Sequence, residues 1–133
     1  MVDKEAIMDK IESGSFGIDD LEDYLTLFLE VSNESEDVQE EVEGWNRKLL
    51  IHLSDTDNFW LQIAEGKFTS GKGDADDGDV TLEMTGETAA GVFTGEIDAT
   101  SAYMSGELKI VGPLPDAVKF RTLTELVREE LEE

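Results

Sequence analysis

The chain has 133 residues, 39% of them apolar, which suits one domain with one core; it carries 33 acidic against 10 basic residues, a net charge of −23. That balance excludes a nucleic-acid partner, which needs a basic footprint, and it disfavours anionic membrane surfaces. The lack of cysteine excludes disulfides, thiolate metal sites and a cysteine nucleophile.

No apolar run reaches the length of a membrane span, and Met1–Glu5 lacks the basic and apolar regions of a signal peptide. A cytoplasmic protein without stable membrane insertion is expected. Self-repulsion at this charge opposes a compact state. The Debye length falls from about 10 Å at ~0.1 M salt to roughly 3 Å at ~1 M, so a salt-adapted cytoplasm is the expectation.

Residues 3–12 predict a short helix that Gly14 ends. A stronger helix runs from Asp19 to Val31, with Leu21, Tyr24, Leu25, Leu27, Phe28, Leu29 and Val31 forming an apolar side wider than a surface helix needs. Such a helix packs on two sides, covers a ligand cavity, or serves as a homodimer face. A third helix follows Ser35 and stops at Gly44; its acidic side reads as solvated.

The period then changes to two. Leu49, Ile51 and Leu53 share one face of a strand over Arg47–Ser54, and Phe59, Leu61 and Ile63 share the next. Glu65-Gly66 turns into a third strand from Lys67, giving an antiparallel meander. Gly71–Asp79 is an acidic loop. Val80, Leu82 and Met84 mark a fourth strand, and Thr85 caps a helix that Gly95 ends. Asp98 caps a short helix to Met104; Gly106 breaks it, and Leu108 and Ile110 alternate with Glu107 and Lys109 in a fifth strand. If Leu108 and Ile110 point inward, Tyr103 and Met104 do so too. Pro113 opens the last amphipathic helix. The fold class is α+β: a mostly antiparallel five-stranded sheet with helices over one face.

Little here carries chemistry. His52 falls on the face opposite Leu49, Ile51 and Leu53, with no nucleophile or orienting group identified. Asp74–Asp79 fails the calcium-loop pattern, since position 5 is Gly78 and position 12 is Thr85. Thr69–Gly73 lacks the upstream glycine of a phosphate loop. No catalytic residue, metal ligand or cofactor is assigned. The positive signal is an apolar surplus near the helices, which either fills the core or lines a pocket between sheet and helices.

Tyr103–Gly112, reading Y-M-S-G-E-L-K-I-V-G, resembles the F-M-S-G-K-L-K-I-x-G signature of the sterol carrier protein type-two domain family. Gly44–Leu53, Phe59–Ile63, Asp79–Thr85 and Phe93–Asp98 resemble further family segments in the same order. The resemblance implies a sheet with helices enclosing a hydrophobic tunnel, over residues 21–133, with residues 1–20 as an N-terminal helical extension. It implies non-catalytic binding or transfer of a hydrophobic ligand: an isoprenoid, a sterol-like lipid or a fatty acyl lipid. By position, the tunnel lining would be Phe28, Phe93, Tyr103, Met104, Leu108, Ile110, Val118 and Leu123. Tyr103 stands where the family has Phe, and Glu107 where it has Lys. The alternatives are an interaction or dimerisation module with a filled core, and an accessory domain presenting substrate within an enzyme system.

Overall fold

A computed structural model describes residues 3–75 and 77–132. Helix α1 (Lys4–Ser13) is capped by the Asp3 carboxylate, which accepts from the N–H groups of Glu5 and Ala6. A 3-10 turn over Ile18–Asp20 leads into α2 (Leu21–Glu34), and α3 (Glu36–Glu41) starts where the Ser35 hydroxyl accepts from the N–H of Val38. Lys10 bridges to Asp20 at 2.6 Å and, with the Gly17 N–H, holds its carboxyl below the usual carboxylate range.

The strands are β1 (Arg47–Leu53), β2 (Phe59–Ala64), β3 (Lys67–Lys72), β4 (Val80–Met84) and β5 (Lys109–Val111), in the order β3-β2-β1-β4-β5. The expected meander β1-β2-β3 is present. Every neighbouring pair is antiparallel except β1–β4, which runs parallel with Leu49 opposite Val80 and Leu53 opposite Met84. The buried residues alternate along β1, β2 and β4. One face therefore meets the helices and the other meets water.

Between β4 and β5 the chain forms α4 (Gly86–Thr94) and α5 (Ala99–Ser105), capped by the Thr85 hydroxyl and the Asp98 carboxylate. After β5, α6 (Leu114–Glu132) crosses back over the sheet. Gly112 makes the close approach here: its φ is +130°, and a β-carbon would lie 2.8 Å from the Asp79 carbonyl oxygen. Asp116 fastens the start of α6 to the sheet by accepting from Trp45 Nε1 at 3.1 Å and Arg47 Nε at 3.0 Å. Replacing Asp116 with Ala leaves the Trp45 N–H unpaired. A loss of about 1–3 kcal/mol is expected, read as a lower urea midpoint.

The width of the apolar side of α2 is explained by packing inside the chain. Leu21, Tyr24, Leu25, Leu27 and Phe28 are buried, and Leu29 and Val31 pack partly against the same core. Helices α1, α3 and α6 and strand β3 all touch α2. Five of the seven residues that suggested a dimer face are thus buried within the chain.

An aromatic cluster occupies the middle of that core. Phe93 packs edge-on against Phe28 at 6.1 Å and Phe120 at 5.7 Å, and Tyr24 lies 5.8 Å away. The Tyr24 hydroxyl donates to the Phe93 carbonyl at 3.0 Å, and burial pushes its pKa up to about 12. The unfolded chain releases this proton near the ordinary value of 10.0, while the folded one keeps it. Stability should therefore fall as pH rises from that value towards 12, by roughly 1.4 kcal/mol per pH unit. Tyr24→Phe should remove this residue's share of the alkaline slope in pH-dependent urea melts, at a cost of about 1 kcal/mol near neutrality for the lost hydrogen bond.

Candidate functional site

Strands β4 and β5 and helices α4, α5 and α6 converge on a cleft of about 290 Å³. Its floor is Leu82 and Met84 from β4 and Ile110 from β5, with Leu108 just before that strand. Val92 of α4 closes one side. Ala99, Thr100, Tyr103 and Met104 come from α5, and Leu114, Ala117, Val118, Phe120 and Arg121 from α6. Each contribution follows from local pattern. The parity that buries Val80 also turns Leu82 and Met84 to the helix side, and Leu82 pairs directly with Ile110. Helix α6 presents Leu114, Ala117, Val118 and Arg121 at steps of three and four.

Arg121 is the charged residue of the wall. Its guanidinium stands 3.4 Å from Asp98 and 3.4 Å from Glu125. Asp98 accepts from the N–H and hydroxyl of Ser101, and these bonds, with the charge of Arg121, hold its carboxyl below the usual range. Asp98 therefore caps α5 and ties that helix to α6. This pair positions one wall of the cleft; it offers no acid–base pair for chemistry.

Five of the eight residues expected to line a tunnel meet here: Tyr103, Met104, Leu108, Ile110 and Val118. Phe28, Phe93 and Leu123 do not. They lie in the closed core behind the wall, because the aromatic cluster and the inner side of α6 fill that volume. Tyr103 and Met104 do not point inward as expected. Ala102 is the buried residue of α5, which leaves Tyr103 44% and Met104 81% exposed at the mouth. The structure shows an open cleft rather than an enclosed tunnel. Leu82, Met84, Val92, Ala117, Phe120 and Arg121 belong to the lining and were not anticipated. For Leu82 and Met84 the signal existed in their shared parity with Val80; for Arg121 there was none.

Elsewhere, His52 sits half-buried on the outer sheet face opposite Glu83. In the acidic loop, Asp79 is engaged by the Lys48 N–H at 2.8 Å, and Asp76 lies outside the described residues. Among the described residues, no three histidine or carboxylate side chains cluster to hold a metal, and no helix is long and apolar enough to cross a membrane.

Comparison with known proteins agrees with this architecture. A crystal structure of sterol carrier protein 2 superimposes with a TM-score of 0.63 and 20% identity, covering 80% of this chain and 94% of that one. The UbiJ-SCP2 ubiquinone synthesis protein gives 0.64 and 17%, covering 77% and 85%. A stereoselective inverting sec-alkylsulfatase from Pseudomonas sp. gives 0.58 and 22% over 64% of this chain, which corresponds to only 14% of the sulfatase. At these identities the likeness is one of fold. No curated protein matches the sequence significantly. The model of the SCP-2 sterol transfer family matches residues 25–125, most of the chain and every residue that lines the cleft, and the chain belongs to that family.

Proposed function

We propose that the protein binds and transfers a hydrophobic ligand, without catalysis, in the cleft between β4, β5 and helices α4 to α6. The observation that carries this reading is the lining: a concave apolar surface of about 290 Å³ whose one charged side chain, Arg121, is already flanked by two carboxylates. Tyr103, Met104, Leu108, Ile110 and Val118 are the ligand contacts from the original expectation, joined by Leu82, Met84 and Ala117.

The field of the chain narrows the ligand class. A head group with several phosphates would meet a net charge of −23. A neutral or singly charged lipid, such as an isoprenoid or a fatty alcohol, is favoured over an acyl-CoA at low salt. Competition at ~0.1 M salt tests this: tighter binding of the acyl-CoA than of the fatty alcohol of equal chain length would refute it. Organic extraction of protein purified in molar KCl, followed by mass spectrometry, tests the reading as a whole. A stoichiometric lipid is expected, and an extract that stays empty after attempted loading would turn the assignment towards an interaction module.

A further inference from the structure

Arg121 is the cation of the cleft lining, and the way its charge is met decides which head group suits it. Asp98 Oδ1 stands 3.4 Å from the terminal nitrogen Nη2, and Glu125 Oε1 stands 3.4 Å from Nε. Both lengths exceed the N–H···O hydrogen-bond range of about 2.7–3.2 Å. The guanidinium is therefore neutralised by proximity, while its fork of N–H donors is not engaged by either carboxylate. All three side chains are close to half exposed, at 43%, 49% and 45% for Arg121, Asp98 and Glu125. Ion pairs in such a setting hold weakly, so the donors can turn to a ligand at little cost.

The other oxygen of Asp98 is occupied: Oδ2 accepts from the N–H and the hydroxyl of Ser101, each at 3.1 Å. These bonds fix the carboxylate at the start of α5, the helix that brings Thr100 and Tyr103 to the cleft. Glu125 stands one turn along α6 from Arg121. One positive and two negative charges thus share this edge of an otherwise apolar surface.

We infer that Arg121, Asp98 and Glu125 form a head-group filter that accepts the neutral hydroxyl of a lipid alcohol and rejects the carboxylate of a fatty acid. A hydroxyl both accepts and donates: it takes an N–H from Arg121 and gives its own proton to a carboxylate oxygen. A fatty-acid carboxylate only accepts, and to reach Arg121 it enters between two like charges. The bonds from Ser101 and the charge of Arg121 keep Asp98 ionised to below the usual carboxylate range, so the repulsion persists at neutral pH. Without the two acids Arg121 would select the opposite head group, because a guanidinium fork matches a carboxylate in shape and charge.

The inference rests on the reading of the cleft as a lipid site, and it narrows the ligand from a neutral or singly charged lipid to a neutral one. The whole chain, at −23, also repels a carboxylate, so the local effect is separated from the global one by a charge-matched control. Isothermal titration at ~0.1 M KCl compares decanol with decanoate. Decanol is expected to bind the wild type about tenfold more tightly or better. In Asp98→Asn/Glu125→Gln, where Asn still caps α5, the ratio should shift by about tenfold or more towards decanoate. Glu5→Gln/Glu12→Gln removes the same charge from α1, away from the cleft lining, and should move the ratio by less than about twofold. Adding Arg121→Met to the Asn/Gln variant should erase the gain in decanoate.

An unmoved ratio in the Asn/Gln variant, or an equal shift in the α1 control, overturns the filter and leaves the lipid site intact. Failure of the wild type to bind either ligand overturns the site and the filter together. Arg121→Met in the otherwise native chain keeps the inference testable if the Asn/Gln variant does not fold. It should weaken decanol severalfold, and undiminished decanol binding would overturn the filter.

Discussion

Straight-chain alcohols of increasing length are expected to bind about fourfold more tightly for each added methylene, up to on the order of ten carbons, and then to level off. The slope follows from roughly 0.8 kcal/mol per buried methylene, with about 1.4 kcal/mol for each tenfold in affinity. The plateau follows from space. The cleft holds about 290 Å³, and a methylene is comparable in size with a water molecule, whose share of liquid volume is about 30 Å³. Carbons beyond the plateau project through the open mouth past Met104 and Val118 and gain little. Displacement titration of a fluorescent probe measures the series. Constant gain past sixteen carbons would mean a longer tunnel than the cleft shown here, opened by movement of α5 or α6. No gain at any length would mean that the cleft is not the ligand site. Ala117→Phe sharpens the test, because its ring would enter the cleft from α6 and should move the plateau to shorter chains.

The plateau also tests the part of the site that was hardest to read in advance. Element identities were legible because each is a local signal. Thr85 and Asp98 cap the helices that follow them, Gly106 ends α5, and Val80, Leu82 and Met84 alternate. The short turns made the β1-β2-β3 meander legible, but not where β4 and β5 attach to it. The parallel β1–β4 pairing joins β4 to the meander, and the antiparallel β4–β5 pairing sets Leu82 beside Ile110 in the floor. Apolar identity also does not say which side of a helix a residue occupies. Val118 and Leu123 are both apolar residues of α6, yet one is half exposed at the mouth and the other fully buried. The same holds for Tyr103 and Met104, which border the cleft without being buried: a seven-residue helix with one buried position, Ala102, need not turn its bulky neighbours inward. Arg121 is one cation in an amphipathic helix, and its place between Asp98 and Glu125 depends on α5 packing against α6.

Phe28→Ala is expected to cost about 3–5 kcal/mol, a large part of the 5–15 kcal/mol that holds a typical domain together. Phe28 is fully buried, edge-on to Phe68 at 6.4 Å and to Phe93 at 6.1 Å, so truncation leaves a hole that rigid rings cannot close. The charge makes this loss conditional on salt. Five of the ten cations, Lys10, Arg47, Lys72, Lys119 and Arg121, form ion pairs among the described residues. Most of the 33 acids therefore act mainly on one another. Screening at ~1 M KCl removes much of that repulsion. The variant should be largely unfolded at ~0.1 M KCl and fold cooperatively at ~1 M, while the wild-type urea midpoint climbs over the same range. Urea is the denaturant of choice because guanidinium would itself screen. Midpoints that do not move with KCl would sink the salt-adaptation reading. The alcohol series on Phe28→Ala in molar KCl then decides where this residue belongs. An unchanged plateau keeps Phe28 in the core behind the wall. A plateau displaced to longer chains would mean that the cavity joins the cleft, and that the original placement of Phe28 at the ligand was correct.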